Sequence, residues 1–143
     1  NNSANMTFNS NLSTDYDGYL LNLLYIDPAT TNALGLRING STTNHVYEVA
    51  SFQGGTLNRV GSTNTNQAQL TEGTIGSTAG WTGQITFSND VFNPNFSWYG
   101  GKDQEMDIGS GRWFGGSSIT SITVFNQGGN LTRGVGILFG LRS

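Results

Sequence analysis

The chain has 143 residues, a formal net charge of −3 and only 10% charged residues. Its single lysine and five scattered arginines build no basic face, which argues against nucleic-acid binding. No apolar run approaches the ~20 residues of a membrane helix, and the absence of cysteine excludes disulfides and thiolate metal sites.

Residues 1 to 15 are polar and read as a flexible arm or an edge strand on a single domain spanning 1–143. Met6, Phe8 and Leu12 fall on one strand face, suited to a neighbour's groove. The start at Asn1-Asn2-Ser3 is read as a mature form whose targeting segment, if any, is gone. Asp15-Tyr16-Asp17-Gly18 has the spacing that opens a calcium loop, but the later ligands are missing and a plain turn is expected. Tyr19–Ile26 is apolar on both sides and could form a short helix, but Gly18 and Asp27-Pro28 bound it to eight residues, and a strand buried on both faces is favoured. Leu34–Ile38 alternates, and His45–Phe52 is a further strand. Residues 53–80, rich in Gly, Thr, Asn and Gln, predict long loops around weak strands. Gln84–Ser88 predicts a strand with Ile85 and Phe87 inward. Ile119–Phe125 is expected to pair with Gly134–Leu141 through a turn at Gln127–Asn130. In that last strand Val135, Ile137, Phe139 and Leu141 share one face. Gly134, Gly136, Leu138 and Gly140 form the other, a glycine face on which a backbone or an aromatic ring packs closely. Glycine at 21 residues, spaced between short apolar runs, gives an all-β fold of antiparallel sheets. On physics alone a sandwich, a barrel and a prism stay open.

The chain repeats one phrase: Trp98-Tyr99-Gly100-Gly101 and Trp113-Phe114-Gly115-Gly116. Sugars stack C–H faces on aromatic rings, and their hydroxyls seek amides and carboxylates. Trp98, Tyr99, Gly100, Gly101 and Trp113, with Asp103 and Asp107 as acceptors, are therefore candidate carbohydrate-binding residues. The competing reading is a structural corner built twice, because adjacent strand residues point to opposite faces and one of each pair belongs to the core. Gly128, Gly129 and Asn130 are a second candidate, with an ordinary glycine turn as the alternative. Asp103, Glu105 and Asp107 are expected together in an exposed loop. His45 is the only histidine and no Gly-x-Ser-x-Gly elbow exists, so neither a catalytic triad nor a multi-histidine metal site is expected. No enzymatic activity, cofactor or metal is anticipated. Asn5, Asn11, Asn39, Asn95 and Asn130 stand in Asn-x-Ser/Thr frames and are candidate glycosylation sites, as is Asn1.

Over about residues 34–143 the order of signals resembles the jacalin-related lectins, the β-prism I family. The carriers are Gly54-Gly55 after a strand, Ile85-Thr86-Phe87-Ser88-Asn89, Ser97-Trp98-Tyr99-Gly100-Gly101-Lys102, and the tail Ile122–Leu131 followed by Gly136–Leu141. The resemblance implies a β-prism, with a β-sandwich as the alternative, and sugar binding at a Gly-x-x-x-Asp loop. At the matching turn this chain has Gly129-Asn130-Leu131-Thr132-Arg133, without the aspartate, so an altered sugar site is implied. The resulting expectation is a secreted or cell-surface, non-enzymatic lectin that binds glycans or polysaccharide and self-associates for avidity. The rival is a structural subunit of an extracellular filament or matrix, assembled by adding the N-terminal arm to a neighbour's sheet edge.

Overall fold

The computed structural model describes residues 3–10, 12–76 and 79–142. Its elements there are eleven β-strands: β1 Asn5–Phe8, β2 Gly18–Pro28, β3 Leu34–Ile38, β4 His45–Gln53, β5 Thr56–Thr65, β6 Ala68–Gln69, β7 Trp81–Ser88, β8 Asn95–Lys102, β9 Glu105–Trp113, β10 Ile122–Asn126 and β11 Leu131–Leu141. All named pairings are antiparallel. They form a four-stranded sheet, β1-β10-β3-β6, and a seven-stranded sheet, β11-β2-β7-β8-β9-β4-β5. Both contribute to one core, with Leu34, Leu36, Ile38, Ile122 and Val124 from the smaller sheet and Tyr19, Leu21, Leu23, Ile85, Phe87 and Val49 from the larger.

The core is built by seating aromatic rings on glycines. Gly83 and Gly100 pair across β7 and β8, and the Trp81 ring lies over both, where a Cβ at either position would penetrate it. Gly109 stands directly opposite Trp98, and Gly111 opposite Phe96. A Cβ at Gly111 would lie 2.5 Å from the Phe96 ring, and one at Gly109 would overlap the Trp98 indole. Close-packed interiors leave no room for such additions. The glycines thus let wide rings lie flat between the sheets without pushing them apart.

The expected glycine face of β11 is present. Gly136 receives Phe8 and Met6, and Gly140 receives Tyr16. Met6, Phe8 and Leu12 therefore pack against their own core, and β1 is an edge strand beside β10 of the same chain.

Several other expectations are corrected. β10 and β11 lie in different sheets, because the turn between them is clamped by Asn126, whose Nδ2 donates to Thr30 O and Asn130 O. The chain is thus sent across to β2 rather than back along β10. Of the weak strands expected among long loops at 53–80, β5 is a full ten residues long, while β6 has two. As a solvent-facing edge strand β5 carries few apolar residues, which hides its periodicity. Asp103, Glu105 and Asp107 do not share an exposed loop. Only Asp103 caps the β8–β9 hairpin in the open, while Asp107 points inward from β9. The first aromatic-glycine phrase is the middle of strand β8, and only the second leaves a strand end.

Gly109→Ala is expected to cost about 1–3 kcal/mol through overpacking, measured by chemical denaturation. Adding Trp98→Leu should recover part of that loss. Equal destabilisation with and without Trp98 would refute the ring-on-glycine account.

Candidate functional site

Alternate residues of the seven-stranded sheet that do not enter the core form an outer face, and the register orders them into rows. Glu48 pairs with Ser110, Ser110 with Ser97, and Ser97 with Thr86. One row further, Val46 pairs with Arg112 and Arg112 with Asn95. Because these side chains are short, and Gly61 opposite Glu48 adds none, the sheet surface is left open as a groove of about 1070 Å³. Its floor carries the hydroxyls of Thr86, Ser97 and Ser110. The Arg112 guanidinium donates to Asn95 Oδ1 at 2.5 Å and lies 5.6 Å from the Phe114 ring centroid. Glu48 makes an exposed ion pair with Arg59 at 3.4 Å. Glu48 is the only carboxylate among the lining residues.

The sequence-predicted carbohydrate residues occupy separate places. Trp98 and Trp113 are buried, at 2% and 5% exposure. Trp98 Nε1 donates to Leu70 O at 2.8 Å, and Gly115 packs under the Trp113 ring. Gly100 lies beneath Trp81. Tyr99 and Phe114 are the exposed members of their pairs, as strand alternation requires. Tyr99 Oη donates to Gln84 Oε1 at 3.1 Å, and Gln84 Nε2 donates to Asn22 Oδ1 at 2.7 Å. Gly101 and Asp103 sit at the β8–β9 hairpin end, with Asp103 in the left-handed region at φ 44°. Gly128, Gly129 and Asn130 lie at the β10–β11 turn beside Thr30 and Asn32. The fold does not gather these ten residues into one site. Of the sequons, Asn5, Asn95 and Asn130 are exposed, and Asn95 lines the groove. The Asn39 amide donates to Ser118 O and accepts from the Thr120 and Ser121 backbones. Asn11 and Asn1 lie outside the described residues.

Asp107 belongs to a buried polar cluster that ties the 70–76 segment to the sheet. Its Oδ2 accepts from Trp81 Nε1 at 3.0 Å and its Oδ1 from the Glu72 backbone at 3.2 Å. Beside it Lys102 pairs with Glu105 at 3.3 Å and donates to Thr74 O at 2.5 Å. Burial pushes the Asp107 carboxyl up to about 6, against the two hydrogen bonds that favour its ionised form. His45 is also buried. Its Nε2 accepts from the Ile38 backbone at 3.2 Å, and burial pushes its pKa down to about 4. Among the described residues no group of three or more His, Asp or Glu side chains is arranged to hold a metal.

The groove residues escaped sequence reasoning because nothing marks them locally. The available signal was the hydroxyl and amide side chains at alternate positions Thr86/Ser88, Asn95/Ser97 and Ser110/Arg112. They become a surface only when the strand register is known. No protein-family model matches the chain, and no curated protein matches it.

The two shifted groups oppose each other. Between about 3.8 and 6 the folded chain holds the Asp107 proton that the unfolded chain releases, so this contribution is lost as pH rises through 6. Between about 4 and 6.5 the unfolded chain protonates His45 while the folded chain does not, so that contribution is lost as pH falls through 4. Each amounts to about 3 kcal/mol across its window. Stability measured by denaturant titration from pH 4 to 6 is expected to be nearly flat for these two groups together. Asp107→Asn should fall in stability toward pH 4, and His45→Gln should rise. Unchanged profiles in both variants would contradict the assignment.

Proposed function

We propose that this protein is a non-enzymatic glycan-binding module that takes carbohydrate in the groove across β4, β5, β7, β8 and β9. The carrying observation is the groove itself: an open trough of about 1070 Å³ in which serine and threonine hydroxyls, an asparagine amide, one glutamate and one arginine stand among apolar surface that includes Val46, Tyr47 and Phe96. That is the donor and acceptor chemistry of sugar hydroxyls, with little net charge to demand an ionic ligand. Glycoside hydrolysis requires paired carboxylates flanking the scissile bond, and Glu48 has no carboxylate partner among the lining residues. The proposal rests on this surface and not on the jacalin resemblance. Two sheets among the described residues support the β-sandwich over the three-sheeted prism. A weakly charged surface rich in amides and hydroxyls suits an extracellular setting.

The rival reading, a filament subunit assembled through its arm, draws less support. β1 already occupies an edge of its own sheet, with Phe8 and Met6 against Gly136.

A glycan array should identify ligands. For such a ligand, Ser110→Phe, which fills the floor, and Arg112→Ala should each weaken binding at least tenfold, measured by calorimetry. Asp103→Ala and Asn130→Ala should leave it unchanged. Binding to no glycan, or loss only in the latter pair, would overturn the reading.

A further inference from the structure

Outside the groove, the outer face of the seven-stranded sheet carries two apolar patches at opposite ends. The first follows edge strand β11. Val135, Ile137, Phe139 and Leu141 are 39–54% exposed, and Leu24 (39%) and Tyr25 (64%) join them from β2. Leu24 stands beside Val135 in the register. Tyr25 is turned outward by a bulge between Leu23 and Ile26 and is held at φ 51°. A non-glycine residue held in the left-handed region costs free energy, and here that conformation displays an aromatic ring to solvent. The second patch lies on β4, β5, β8 and β9. Leu57, Phe52 and Met106 form one cross-strand row. Ile108 and Tyr99 pair in the next. These five residues are 44–57% exposed. The polar residues Thr82, Gln84 and Thr86 of β7 separate the patches.

We infer that the β11 patch of one molecule docks on the Phe52–Leu57–Met106–Ile108 patch of a second copy of this chain, a head-to-tail contact repeated around a closed ring. Three observations point to the same chain as occupant. Both patches exist on each molecule and match in size. Taking roughly 200 Å² for a whole large side chain, each leaves on the order of 500 Å² exposed. Mating the two withdraws about 1,000 Å², where specific interfaces begin. Each patch matches the largest that an ordinary monomer exposes, and this molecule carries two; β11, paired only with β2 in its sheet, is the kind of apolar edge that associates unless covered. The low net charge of −3 offers little repulsion between copies. A head-to-tail contact of this kind is heterologous, and closure into a ring, unlike an open filament, leaves neither patch uncovered. The glycan reading is not required.

The test is complementation between surface variants, followed by sedimentation velocity and light scattering. The wild-type chain is expected to run as a discrete oligomer. Ile137→Lys with Phe139→Lys, which spoils the first patch, and Met106→Lys with Ile108→Lys, which spoils the second, should each run as monomers. An equimolar mixture should form a one-to-one dimer, since each variant retains the patch the other lacks. That dimer would also show that both variants are folded. A monomeric wild type, or association lost only in the β11 variant, would overturn the proposal. So would a mixture that stays monomeric while the milder Ile137→Thr and Ile108→Thr pair, each folded by circular dichroism, fails equally.

Discussion

The seating of aromatic rings on glycines is the constraint on which the rest of this structure depends. Trp81 covers Gly83 and Gly100, Trp98 covers Gly109, and Phe96 covers Gly111. Each arrangement buries a large apolar surface, and such burial is the dominant favourable term in folding. It does so only while the opposing residue has no side chain. The same device operates where β11 meets the N-terminal segment through Phe8, Tyr16, Gly136 and Gly140. Glycine thus acts within strands as a socket, which accounts for its abundance better than turns alone.

This inward use of bulk has an outward consequence. With the wide rings directed into the core, the intervening positions toward one end of β7, β8 and β9 carry Thr86, Ser88, Asn95, Ser97 and Ser110, and a hydroxyl-bearing trough runs over the hydrogen-bonded sheet, whose backbone makes a rigid floor. Rigidity matters for weak hydroxyl recognition, because side chains already held in place lose less entropy on binding. The Gln84 bridge between Asn22 and Tyr99 and the Arg112–Asn95 bond hold part of that surface in register. Beneath it, the buried Asp107 and Lys102 secure the 70–76 segment through the Glu72 N–H and the Thr74 carbonyl, which satisfies the requirement that governs any polar group in a core.

Much of the fold was legible in the sequence. Alternation placed Ile85 and Phe87 inward, the glycine face of β11 predicted a close aromatic neighbour, and the Trp-Tyr and Trp-Phe pairs divided between core and surface as strand geometry requires. What was not legible depended on partners distant in sequence. Nothing local tells that Val135, Ile137, Phe139 and Leu141 face outward, since an apolar row ordinarily marks the core side. The smaller glycine face wins because Phe8, Met6 and Tyr16 arrive to fill it. Likewise the Asn126 clamp, which separates β10 from β11, relies on Thr30, almost a hundred positions away. The candidate groove was hidden for the same reason, since its residues share a surface only through five strands in register, whereas Trp98 and Trp113 drew attention by chemistry and are occupied by packing.

The central claim is that the outer face of the larger sheet is where this protein meets its ligand. Backbone amide chemical-shift mapping by solution NMR, during titration with a bound glycan, tests it most directly. The account predicts that the perturbed amides cluster at Thr86, Ser97, Ser110 and Arg112. Perturbations confined to the β8–β9 hairpin end at Asp103, or to the Gly128–Asn130 turn, would contradict it.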